Sequence, residues 1–332
     1  MKRLLIIALP LILSACTLIY DDLSVCRQYV LLTYRLQLHA ELSVQLQTEL
    51  AAAADEPVRQ ILESWFTPVF EDSDIDVDLR FYSVETDALS ERRQEVLKDR
   101  RTSFTITLPK EDFMHLAVAN IGDDKPVQLK DVEQSSTMRI ELPEQTEVSS
   151  LSSMIYTARM PIIVTDSTEE VHVALYAITG AVALVMQTDK CSDLIGVSGR
   201  MRGLASEFSV KDSTFSYDRS PLVSMTTIPM DALAGSMHRA RTSAGDYACM
   251  AGVGMPTQDG EQWQIELTTT LTDNRHTTTT LTVNEPLTAG ELHVIKLEMD
   301  KDGGLYPVSD TEEVGAAVEL DWNKGDEHEI EL

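Results

Sequence analysis

Positive charge is scarce in this chain: 27 Lys and Arg stand against 54 Asp and Glu, a formal net charge of −27. Nucleic acid presents phosphates and demands a basic footprint, so a nucleic-acid partner is excluded. The same balance disfavours lying flat on an anionic membrane and keeps a crowded surface protein in solution. Aromatics make up 6% of the residues, with three Trp. Trp263 and Trp322 fall in alternating patterns that point them toward a core, which leaves little for an exposed stacking platform.

Catalytic signatures are missing as well. There is no His-Glu-x-x-His, no Cys-x-x-Cys and no Gly-x-x-x-x-Gly-Lys. Gly196-Val197-Ser198-Gly199 lacks the Gly-x-Ser-x-Gly spacing of a nucleophile elbow and reads as a loop. The seven histidines are scattered singly, and His172 lies opposite the Val171 and Val173 face, at a surface position. Asp72, Asp74, Asp76 and Asp78 offer oxygen ligands of the type calcium takes. In a strand, however, alternate residues step along one face by about 6 to 7 Å, too far to converge on one ion. The reading is therefore a non-enzyme with no cofactor, no metal and no small-molecule substrate.

Long apolar runs are absent except at the start. Lys2 and Arg3 precede Leu4 to Leu13, the layout of a secretory signal. The run is shorter than the roughly 20 residues that span a bilayer. It ends in Leu13-Ser14-Ala15-Cys16, a lipobox, so residues 1–15 read as a lipoprotein signal peptide and Cys16 as the lipidated first residue of the mature chain. Thr17 follows in place of an Asp that would have suggested inner-membrane retention, which points to the outer membrane. Several acyl chains would hold durably where one binds weakly. With Cys16 lipidated, Cys26, Cys191 and Cys249 remain; one disulfide with a free thiol and three buried reduced cysteines both agree with the sequence.

The 332 − 15 = 317 mature residues exceed the usual size of one core and predict two domains. Residues 16–27 read as a tether, 28–167 as an N-terminal domain and 168–332 as a C-terminal one. Val30 to Leu38 is strand-like, whereas His39 to Ala54 and Val58 to Trp65 have helical composition. Ile75, Val77, Leu79 and Phe81 alternate with Asp74, Asp76, Asp78 and Arg80, which predicts a strand with one wet face. Thr86 to Arg101 is charged and reads as a surface helix or a long loop. Phe104 to Leu108, Phe113 to Ala119 and Pro161 to Thr165 read as strands. In the second half, Val171 to Ala177, Ala181 to Met186, a hairpin of Trp263 to Leu271 with His276 to Val283, Leu292 to Met299, and Val318 to Trp322 continue the pattern. Short strands with few helices predict a mainly β protein built of sandwiches, with helices inserted in the first domain.

The segment Cys16-Thr17-Leu18-Ile19-Tyr20-Asp21-Asp22-Leu23-Ser24-Val25-Cys26 resembles the amino-terminal signature of the FimB-type fimbrial anchor and accessory lipoproteins of Bacteroidales, the group that builds type V pili. Phe104 to Asn120 and Trp322 to Leu332 are similar to further segments of that family, while Arg27 and the Ala51 to Ala54 run depart from its pattern. The resemblance implies two transthyretin-like β-sandwiches in tandem, on an outer-membrane, surface-exposed protein at the base or tip of a fimbrium. It also implies pilin subunits as partners, joined by strand complementation, since an open sheet edge gains a full ladder of hydrogen bonds from an added strand. The alternative is a surface glycan-binding lipoprotein of the same architecture.

Overall fold

The computed structural model describes residues 28–38, 56–70, 74–98, 103–122, 126–144, 147–230, 247–308 and 314–321. The expected signal peptide, the tether, Cys16, Cys26, the helix over His39 to Ala54 and Trp322 lie outside them. The described residues form a mainly β protein with one helix and four sheets.

The first sheet has seven strands: β1 (Tyr29–Leu38), β2 (Ile75–Ser83), β3 (Leu89–Leu97), β4 (Ser103–Pro109), β5 (Asp112–Ala119), β9 (Tyr156–Ile163) and β10 (Glu170–Ala177). Their order is β3-β2-β5-β9-β10-β1-β4. β10 runs parallel to β1 from Thr33↔Glu170 to Leu38↔Leu175, but meets β9 only at Tyr176↔Thr157 and Ala177↔Tyr156. The sheet therefore splits there and folds over on itself. Tyr34 of β1 stacks on Phe104 and reaches across to Phe81 and His115. The expected boundary after residue 167 lies in the connection between β9 and β10, two neighbours in this sheet.

The helix, α1 (Glu56–Phe70), absorbs the predicted Val58 to Trp65 segment. Glu56 sits in the first turn, where the helix dipole favours an acid, beside Pro57, whose missing N–H costs nothing there. Val58, Ile61, Leu62, Phe66 and Val69 form the buried stripe. At the far end, Val69 O accepts from Met154 N at 2.9 Å and Phe70 O from the Tyr156 hydroxyl at 2.7 Å. These bonds satisfy carbonyls that a helix terminus leaves open.

Two expectations for this part are corrected. Thr86 to Arg101 contains a strand, β3, antiparallel to β2 from Ile75↔Leu97 to Phe81↔Glu91. Polar residues on both of its faces hid the period, and they suit an edge strand, where charge discourages pairing with a foreign chain. The predicted wet face of β2 is in fact covered: Asp78 and Arg80 are only 5% and 4% exposed. Segment 127–142 lies over it, and the Tyr82 hydroxyl donates to Val132 O at 2.9 Å. Asp78 is held by Arg80, whose Nε lies 2.9 Å from Oδ1, and by Arg92 at 2.7 Å.

The covering layer is a four-stranded sheet of β6 (Gln128–Lys130), β7 (Arg139–Glu141), β13 (Glu207–Ser209) and β14 (Thr214–Ser216), in the order β14-β13-β7-β6. Leu129, Ile140, Phe208 and Phe215 form one cross-strand row, a continuous apolar stripe drawn from both halves of the chain.

The remaining sheets pack face to face. One consists of β11 (Gly180–Gln187), β16 (Thr226–Ile228), β17 (Tyr247–Gly254), β20 (Leu292–Met299) and β21 (Leu305–Pro307), in the order β16-β17-β11-β20-β21. The other consists of β8 (Glu147–Ser149), β12 (Leu194–Arg202), β15 (Leu222–Ser224), β18 (Trp263–Leu271), β19 (His276–Val283) and β22 (Val314–Asp321), in the order β22-β19-β18-β12-β15-β8. The predicted hairpin is β18 with β19, in register from Trp263↔Val283 to Thr270↔His276. Its alternation is real: Trp263, Ile265, Leu267, Thr269 and Leu271 are all buried. The buried threonines are satisfied, with Thr269 Oγ1 donating to Gly303 O at 2.9 Å and Thr279 Oγ1 accepting from Leu305 N at 3.1 Å. Gly196 to Gly199, expected as a loop, lies inside β12. A Cβ at Gly199 would come within 2.9 Å of Leu267 Cδ2, so the glycine there serves close packing.

Candidate functional site

β1 begins at the end of the first sheet farthest from the Ala177–Gly180 crossing into the second half, because β10 runs parallel to it toward that crossing. Gln28 is fastened at this end: its backbone O accepts from Lys110 N at 2.8 Å, and its side chain accepts from Lys110 Nζ. Lys110 also pairs with Asp166. Exposed apolar side chains gather in the same region, namely Tyr29, Leu31, Val84 and Ile163. In the last sheet, β22 runs antiparallel to β19 from Val283↔Val314 to His276↔Asp321 and finishes at the end farthest from the crossing. Residue 28 and residue 321 thus each lie at the end of their own sheet away from the Ala177–Gly180 crossing.

Several strands have an open side. Among the described residues, β3 and β4 border the first sheet, β16 and β21 the five-stranded one, and β22 the six-stranded one, each with a ladder partner on one side. β9 beyond Thr157 and β10 before Tyr176 diverge, each without the other as partner. Where these two part, a cleft of about 430 Å³ opens between the first sheet and β13–β14, with Arg159, Tyr176, Ile178, Phe208, Ser213 and Phe215 in its walls.

Of the cysteines singled out by the sequence, Cys191 and Cys249 are free and buried. Burial pushes the Cys249 thiol up to about 12 and raises that of Cys191. His172 is exposed beside Glu170, at the surface position expected for it. Among the described residues no group of three or more His, Cys, Asp or Glu converges as metal ligands, and no helix is long and apolar enough to cross a membrane.

Sequence reasoning missed two features. His115 is wholly buried, stacked 4.2 Å from Phe81. Its Nε2 meets the Tyr34 hydroxyl at 2.5 Å and its Nδ1 donates to Arg80 O at 2.9 Å. Asp87, at a positive φ of 57°, gathers the Ser135 and Ser136 hydroxyls and Lys211 Nζ. These bonds, against the cost of burial, hold its carboxyl at about 2. It ties the first sheet to β13–β14.

No protein-family model and no curated protein matches the chain. Solved structures do. A candidate adhesin from Bacteroides ovatus ATCC 8483 is similar at a TM-score of 0.52 and 11% identity, over 85% of this chain and 96% of that one. A second candidate adhesin from Bacteroides ovatus gives 0.51 and 12%, over 92% and 98%. A protein from Bacteroides thetaiotaomicron VPI-5482 described as a candidate polysaccharide-binding protein gives 0.50 and 9%, over 85% and 99%. At such identities the likeness is one of architecture, and this chain has the fold of those Bacteroides proteins.

Proposed function

We propose that the chain is a lipid-anchored outer-membrane protein of the FimB type, an anchor or accessory subunit of a fimbrium that pilins join by strand complementation. In this reading it is built of two transthyretin-like units that divide after β10, and its role is adhesive and mechanical. The observation that carries the proposal is that β1 begins and β22 finishes at the ends of their sheets away from the Ala177–Gly180 crossing. Cys16 lies twelve residues before Gln28 in the sequence, and a lipid on it would put the Gln28 end of the first sheet toward the membrane. The strand β22 finishes at the end of its sheet farthest from the crossing, and among the described residues it has a ladder partner, β19, on one side, which leaves the other for an added strand in this reading. The fold shared with candidate adhesins supports the same reading.

The test is Cys16→Ala in the native host. The subunit is expected to move from the outer-membrane fraction to the soluble fraction, and fibres are expected to be shed into the medium. Release of the subunit with fibres still attached to the cell would refute an anchor role. An unmodified Cys16 in the wild-type protein by mass spectrometry would refute the lipid tether itself.

A further inference from the structure

We propose that the cleft between the first sheet and β13–β14 binds a carboxylated sugar residue, with Arg159 holding the carboxylate and Tyr176 the apolar ring face. This proposal is independent of the fimbrial reading. It starts from charge. In a chain with a formal net charge of −27, carboxylates are abundant and arginines are taken up by them. Arg35, Arg59, Arg80, Arg92, Arg93, Arg139, Arg200, Arg202, Arg219 and Arg275 each have a carboxylate within 4.0 Å. Arg159 alone among the described arginines has none, and it is in the wall of the cleft. One of its terminal nitrogens donates to the Lys211 backbone O, which fixes the guanidinium while leaving its other donors for a ligand.

The rest of the wall narrows the ligand class. Tyr176 is 55% exposed, and its cross-strand pairing with Thr157 places it where β9 and β10 separate. Ile178 and Phe208, both buried, and Phe215, 4.8 Å from Phe208 between ring centroids, supply an apolar floor. Ser213, exposed and at a φ of 55°, is the hydroxyl-bearing residue of the β13–β14 turn in the wall. One apolar face, a hydroxyl rim and a single negative charge are what a uronic acid presents. A fatty acid has no use for the hydroxyl, and a phosphate's second charge meets more repulsion from this acidic surface. The volume of about 430 Å³ lies in the range of small-ligand sites and exceeds what one pyranose fills, so a terminal residue with part of its neighbour is accommodated. Planar guanidinium matches planar carboxylate in two parallel hydrogen bonds, which is the source of selectivity over neutral sugars.

The experiment is a titration of the full mature chain, followed by saturation-transfer NMR, with methyl glucuronide, methyl glucoside and acetyl-phenylalanine as probes. The glucuronide is expected to bind at least about tenfold more tightly than the glucoside, the order of effect of one charge-assisted contact. Arg159→Gln, which keeps a donor for Lys211 O, is expected to abolish that preference without changing the thermal midpoint. Tyr176→Ala is expected to weaken both sugars together. Equal binding of the two sugars, no binding of the glucuronide, or an unchanged preference in Arg159→Gln would overturn the proposal. Tighter binding of acetyl-phenylalanine than of the glucuronide would overturn it too, by assigning the cleft to peptide carboxylates.

Discussion

His115 sets an acid limit on the stability of the first sheet. Its ring lies between the two layers, with Nδ1 donating to Arg80 O and Nε2 accepting from the Tyr34 hydroxyl, so the neutral form is the one its partners fit. Tyr34 is itself held protonated, since burial raises its pKa well above the ordinary value. Burial lowers the His115 pKa from 6.5 to about 4. The unfolded chain therefore takes up a proton first as pH falls. The stabilisation is complete above the unfolded value and is lost on descending toward the folded one. Each tenfold gap between the folded and unfolded proton affinities is worth about 1.36 kcal/mol, so the loss reaches about 2.5 kcal/mol at about pH 4.5 and about 3 kcal/mol at about pH 4. The assay is guanidinium unfolding of the wild type and of His115→Phe at about pH 7, 5.5 and 4.5. The variant should be less stable at neutral pH by about 1 to 3 kcal/mol, because Tyr34 loses its acceptor and Arg80 O its donor. Its stability should then fall less steeply with acid than that of the wild type. Asp87 contributes in the same direction only at lower pH, since its folded pKa is lowered to about 2 from 3.8 and its stabilisation goes as pH drops through that lower window. Parallel pH profiles for the two proteins between about pH 6.5 and 4.5 would refute the reasoning.

Two further outcomes follow from packing. Asp78→Ala leaves Arg80 buried without its carboxylate and should cost about 3 to 5 kcal/mol in guanidinium unfolding, whereas replacing both residues by Leu should cost much less. Equal losses in the single and double variants would count against a charge effect. Gly180→Ala sets a Cβ 2.5 Å from the Thr288 backbone O, while at Gly252 the nearest atoms are the flexible end of Met201 at 2.6 and 2.7 Å. The first should therefore lower the melting temperature more than the second, for which overpacking costs about 1 to 3 kcal/mol. The reverse order would show that the Met201 seam is the more rigid of the two.

What could be read in advance depended on where each element finds its partner. β18 and β19 were legible because one face meets a core and the other meets water, so Trp263 to Leu271 carries its burial in its own alternation. β2 has the same alternation, and its strand was legible, but the environment of Asp78 was not. A period of two separates two faces without saying what covers either, and the cover here comes from β6, β7, β13 and β14, which are distant in sequence. β3 fails for a related reason. An edge strand is selected for polar residues on both sides, so Ser90 to Glu95 has no period to detect, and only the ladder with β2 reveals it. The β9–β10 connection reads as a boundary because residues 166–170 are polar, and in the fold it joins two neighbouring strands of the first sheet. The candidate cleft lies at the far limit of this series. Arg159 is one arginine among many in the sequence, and what sets it apart is that no carboxylate reaches it among the described residues, a property of the neighbours that folding supplies. In a chain this acidic, an arginine left without a carboxylate is the informative residue, because a carboxylate nearby is the ordinary case and a guanidinium without one keeps its donors for another acceptor.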